Sequence, residues 1–141
     1  DIVVAADSAR IGDAHANYGV YPGAGGAAVL PRIIPLNVAK FLLFTGSTLS
    51  AEEMKIYGFV NQVVDLNSLR AETQRIAELI AEKSPIALQR MKTVANETGS
   101  KALHDALEHE QVLFRRHMRS YDAMEGLNAF SEKRRPQFKG Y

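Results

Sequence analysis

Cysteine is absent from all 141 residues, which excludes disulfides and thiolate metal sites. Neither sign of charge is in excess: 17 Lys and Arg stand against 16 Asp and Glu, a formal net charge of +1. Such a balance exerts no global pull toward nucleic acid or an anionic membrane. Long apolar runs are missing too. None approaches the roughly 20 residues that a spanning helix needs, and no secretory or transit segment is visible. What is present is the composition of a globular domain, 46% hydrophobic and 23% charged, in the length of one domain. The expectation is a cytoplasmic protein with no membrane and no nucleic-acid partner.

The chain opens without Met on Asp1-Ile2-Val3-Val4-Ala5-Ala6, a β-branched run that reads as a buried strand. A buried parallel strand needs neighbours on both sides and nothing precedes this one, so a fragment of a longer chain is expected. Tyr18–Tyr21 reads as a short extended piece stopped by Pro22. The cluster Gly23-Ala24-Gly25-Gly26 leads into a helix over Ala27–Leu30, with Pro31 and Pro35 as breaks. Val38, Ala39, Leu42 and Leu43 form the apolar face of a second helix, ended by Gly46. Ser50-Ala51-Glu52-Glu53 is a capping box that opens a short helix closed by Gly58, and Phe59–Val64 reads as one more strand.

From Asp65 onward the pattern is helical throughout. Leu69, Thr73, Ile76 and Ile80 share one face. Ser84-Pro85 is an N-cap with proline at the first helical position, followed by Leu88, Met91 and Val94. Leu103, Leu107 and Phe114 stripe another helix, and Asp122-Ala123-Met124-Glu125 is a second candidate capping box. The organisation is therefore an α/β part over 1–64 and a helical part over 65–141. So many amphipathic faces beside so little sheet need covering, either by other subunits or by residues upstream.

Four features bear on chemistry. Gly23-Ala24-Gly25-Gly26-Ala27-Ala28 fits the G-x-G-x-x-A dinucleotide pattern. However, Pro22 precedes it where a strand should end, and no carboxylate follows in the window Phe41–Thr45. Glycines that let a helix pack closely against neighbouring backbone are the better reading. Asp13-Ala14-His15 puts a carboxylate beside an imidazole, a proton shuttle or a hydrogen-bonded loop histidine. His104, His109 and His117 lack complementary ligand spacing, so no metal site is expected. Arg115, Arg116, Arg119, Lys133, Arg134, Arg135 and Lys139 gather late in the chain, as a solvated face or a site for ligand phosphates.

Taken in order, these residues resemble a known family. Asp1–Ala6, Ile11-Gly12-Asp13, Gly19-Val20-Tyr21-Pro22-Gly23-Ala24-Gly25-Gly26 and Leu43-Phe44-Thr45-Gly46 are similar to consecutive signatures of the enoyl-CoA hydratase/isomerase (crotonase) family. So are Ser50–Glu53 through Gly58–Val64, Lys83-Ser84-Pro85 with Ala87 and Lys92, and the ending Glu132–Gly140. The resemblance covers essentially the whole chain. It implies the last part of a crotonase-like (ClpP/crotonase) ββα spiral over 1–64, followed by a helical C-terminal oligomerisation region over 65–141. It further implies a homo-oligomer, trimer or hexamer, acting on an acyl-CoA thioester, with no cofactor apart from the CoA carried by the substrate.

The implied chemistry is stabilisation of a thioester enolate by two backbone N–H groups while carboxylates move protons. Both donors and the first of two family glutamates would lie upstream of Asp1. The second glutamate aligns with His15, a departure that bears directly on hydration. Gly23 falls where the family sets a backbone N–H near the catalytic water. Phe114 and Lys133 match positions that contact the adenine end of CoA from a neighbouring subunit. The expected activity is an enoyl-CoA hydratase-type reaction. The alternatives are isomerisation, decarboxylation or thioester hydrolysis, and a non-catalytic member that binds acyl-CoA or assembles with a partner.

Overall fold

The computed structural model describes residues 1–97 and 99–141, and they divide into two units, Asp1–Arg75 and Ile76–Tyr141. In the first unit, strand β1 (Val4–Ala6) lies parallel to β4 (Gln62–Val64), with Ala5 opposite Val63. The Asn61 side chain extends this joint by accepting the Val3 N–H at 2.8 Å. Strand β2 (Arg10–Gly12) runs antiparallel to β3 (Thr48–Ser50). Both expected strand runs are thus longer than the paired segments.

Helix α3 (Ala51–Ile56) packs on these strands, and α1 (Gly26–Ile33) packs against α2 (Leu36–Thr45). Ala5, Ile34, Ala39, Leu42, Ala51, Met54 and Val60 form the core. Their number is small, and alanines let backbones approach where larger side chains would hold them apart. Gly46 ends α2 in the left-handed conformation at φ 63°. The Ser50 hydroxyl accepts the Glu53 N–H and the Glu53 carboxylate accepts the Ser50 N–H, so the capping box of α3 forms as expected.

Two local expectations are corrected. Tyr18 and Gly19 are not extended. His15–Tyr18 is a 3₁₀ turn, closed by Gly19 at φ 63° and by a bond from the Val20 N–H to the His15 carbonyl. Pro31 does not break the chain but sits inside α1. It removes one intrahelical donor, and α1 ends two residues later.

Helix α4 (Leu69–Ala81) runs across the division at Arg75. The second unit holds α5 (Pro85–Glu97), α6 (Leu103–His117) and α7 (Tyr121–Ser131), then an extended C-terminal segment. Ser84 caps α5 by accepting the Ala87 N–H at 3.2 Å. The cap of α7 is Ser120, which accepts from Ala123, and not the expected box at Asp122.

Asp122 is only 1% exposed. Its carboxylate accepts the Ser84 hydroxyl at 2.5 Å, the Lys139 N–H at 2.7 Å and the Gly140 N–H at 3.1 Å. Its own N–H donates to the Tyr141 carbonyl at 3.2 Å. A residue that reads as a helix cap is in fact the clasp for the C-terminal segment. The Tyr121 and Tyr141 rings pack at 5.5 Å, with the Lys139 ammonium 4.5 Å above Tyr121. Leu103, Leu107, Phe114 and Phe130 remain exposed, Phe130 at 86%. No described helix is long and apolar enough to cross a membrane.

Candidate active site

In the first unit, the turn after β2 carries Asp13 and His15. Asp13 Oδ1 accepts the His15 backbone N–H at 3.0 Å and lies 2.7 Å from His15 Nδ1. The backbone bond from His15, then the bond from its ring, hold the Asp13 carboxyl below its ordinary range. An ionised carboxylate can only accept, so Nδ1 carries the proton of the neutral ring and Nε2 carries the lone pair. The Asp13 side chain is 12% exposed and that of His15 is 45% exposed. The orienting group is thus covered while the imidazole meets solvent.

The glycine cluster explains why the pair can sit there. A Cβ on Gly26, the first residue of α1, would stand 2.6 Å from Asp13 Oδ2 and 3.1 Å from the Pro22 ring. Glycine therefore lets the carboxylate rest against the start of α1, where the helix dipole favours negative charge. Any side chain at position 26 has to displace Asp13 and, through it, His15. The close approach expected of these glycines is to neighbouring backbone; at Gly26 it is made to side chains. Gly23, three residues earlier, is exposed, and its N–H makes no hydrogen bond among the described residues.

In the second unit, Phe114 lines a groove of about 670 Å³ between α5 and α6, together with Ala87, Met91, Val94 and the Arg90–His117 pair. Arg90 Nη1 lies 2.7 Å from His117 Nδ1. A guanidinium can only donate, so His117 accepts as a neutral ring. Burial, reinforced by the Arg90 charge and opposed by Asp122, pushes this imidazole below its usual range. The two residues are far apart in sequence on different helices, and no spacing signals the pair.

Lys133 is exposed at the end of α7 and does not line the groove. His104, Asp105 and Glu108 bring ligand atoms within 4.8 Å of one another, but all three are exposed on one helix turn and nothing else points to an ion. Site residues expected from the sequence thus fall in both units: His15 and Gly23 in the first, Phe114 and Lys133 in the second.

The family model for enoyl-CoA hydratase/isomerase matches residues 1–141. A probable enoyl-CoA hydratase of Mycobacterium leprae is 37% identical over 138 residues, covering 98% of this chain and 54% of the relative. A carnitinyl-CoA dehydratase of Salmonella arizonae is 30% identical over 145 residues, covering 100% of this chain and 56% of the relative. The crystal structure of an enoyl-CoA hydratase from Bacillus anthracis superposes with a TM-score of 0.95 at 39% identity, over 100% of this chain and 55% of that one. The chain spans about half the length of the curated relatives it matches. With the family matched along every residue and the backbone shared so closely, the architecture is part of the crotonase fold, and the chain belongs to the enoyl-CoA hydratase/isomerase family.

Proposed function

We propose that the native protein carrying this chain processes an acyl-CoA thioester by enolate chemistry of the hydratase/isomerase type, with His15 as its proton carrier. The observation that carries this reading is the Asp13–His15 pair. A glutamate lost without replacement would leave no reason for a covered, ionised carboxylate to hold an imidazole in one tautomer. In this reading Nε2 accepts a proton from water or from a substrate carbon. Asp13 stabilises the imidazolium that forms, and the same nitrogen returns the proton later. The Gly23 N–H, free of internal bonds, is available to hold the water or the oxygen that becomes charged. Phe114 and Lys133 serve the adenine and phosphate end of CoA.

Hydration is tested by turnover of a short enoyl-CoA by the native polypeptide and by His15→Glu. A slow wild type improved by glutamate assigns the natural reaction to isomerisation or another enolate step. Brisk wild-type hydration that falls with glutamate makes histidine this protein's own route to hydration. Intact CoA binding with no turnover in either assay would overturn the enzymatic reading in favour of an acyl-CoA-binding member.

The reading includes a cytoplasmic homo-oligomer, trimer or hexamer. Its support is the apolar surface of the second unit, where Leu103 is 76% and Phe114 is 54% exposed. Light scattering behind size-exclusion chromatography should give a multimer at micromolar concentration. A stable monomer there would contradict it.

A further inference from the structure

Helix α7 closes in a turn with one residue out of keeping. The Arg134 N–H bonds the Ala129 carbonyl at 3.0 Å and the Lys133 N–H bonds that of Phe130 at 3.3 Å. These are the paired bonds of a Schellman closure, in which the residue after the cap turns left-handed. That residue is Lys133, at φ 55°, the one non-glycine with positive φ among the described residues. Glycine usually takes this place because a Cβ crowds the following carbonyl oxygen. A lysine kept where glycine fits better points to a use for its side chain.

The residues on either side are tied down. Glu132 Oε2 accepts from Arg134 Nε at 2.5 Å, joining positions 132 and 134 across Lys133. Arg134 is also bidentate on Glu125, at 2.6 and 2.9 Å, and Glu125 accepts the Gln137 N–H at 2.8 Å. Arg134 is thereby fully engaged. The Lys133 ammonium, by contrast, has no hydrogen bond or ion pair among the described residues.

We propose that Glu125 and Arg134 are positioning residues, which clamp this turn so that Lys133, seated in glycine's place, presents its ammonium to a phosphate of bound CoA. The inference rests on the acyl-CoA reading above. It adds that the backbone conformation of Lys133 is held for binding at the expense of stability.

Calorimetric titration with CoA and thermal unfolding of the native polypeptide test this on Lys133→Gly, Lys133→Asn, Glu125→Gln and the Lys133→Gly/Glu125→Gln double variant. Lys133→Gly should unfold about 3 °C higher than wild type and bind CoA about five-fold more weakly. Lys133→Asn, which tolerates the left-handed region, should show the same loss of affinity. Glu125→Gln should weaken CoA binding comparably although the lysine is present, and should add nothing in the Lys133→Gly background. A merely structural role would weaken binding in both backgrounds. Should Glu125→Gln unfold, Arg134→Gln serves instead, since it leaves the Gln137 N–H bonded to Glu125.

Unchanged affinity in Lys133→Gly would remove this lysine from the CoA site. Affinity lost there but kept in Glu125→Gln, or additive losses, would overturn the positioning role and leave the lysine contact standing. A Lys133→Gly protein no more stable than wild type would contradict the claim that stability is given up for binding.

Discussion

Turnover of the acyl-CoA substrate is expected to fall by about 10²- to 10⁴-fold when His15 is replaced by alanine, the range a positioned acid–base group supplies. The loss should lie in kcat with KM little changed, because the role proposed for the imidazole is proton transfer and not the grip on CoA. Asp13→Asn should reproduce a large part of it. The carboxylate accepts from Nδ1 and so fixes the lone pair on Nε2. An amide both donates and accepts, and no longer demands that tautomer. Steady-state kinetics of the native polypeptide decide the matter, in whichever of hydration or isomerisation the wild type performs. A loss confined to KM would make His15 a binding residue, and wild-type kcat in His15→Ala would remove it from the chemistry.

The second large effect concerns stability. Asp122→Ala should lower the unfolding free energy by about 3 kcal/mol, since it strands a hydroxyl and two backbone N–H groups that the carboxylate now satisfies. In a chain of this length that corresponds to a thermal midpoint lower by roughly 10 °C. Acid should act on the same clasp. Burial alone would raise the Asp122 carboxyl, but the Ser84 hydroxyl and the Lys139 and Gly140 N–H groups together hold it below its usual range. Arg134, then the Gln137 N–H, hold Glu125 down to about 2.

Folded-state values below the unfolded ones mean a stabilisation that is complete above roughly pH 5 and is lost as pH falls toward 2. Thermal unfolding of wild type should therefore soften across that window, and less steeply in Asp122→Ala. A variant that melts with wild type at pH 7 would dismiss the clasp as a source of stability.

Asp122 also shows where sequence reading stops. An acid three residues before a glutamate looks like a capping box, and local pattern cannot reveal that Ser120 already fills that office. The capping box at Ser50, the cap at Ser84 and the left-handed Gly46 were legible because their partners lie within a few residues. Pro31 misleads for a related reason. The lost donor and the ring clash both fall on the turn before it, and local pattern does not show that the helix tolerates them and runs on for two more residues. In the candidate site, Asp13 and His15 could be suspected from adjacency, but the role of Gly26 depends on where α1 meets Asp13. The Schellman turn at Lys133 gives no glycine signal at all.

The pairing of β1 with β4 sets an order of events in folding. Strand β1 finds β4 across a span of 58 residues, whereas α5 and α6 are consecutive helices. Loop-closure entropy must be met before such a distant pairing gives anything back, and chains rich in distant pairings fold slowly. The short helices of the first unit have little stability alone, so they wait on a joint that closes late. Until it does, the β-branched edge of Ile2, Val3 and Val4 stays open to other chains. The hazard of aggregation is therefore greatest during synthesis and refolding, while neither edge of β1 has a partner.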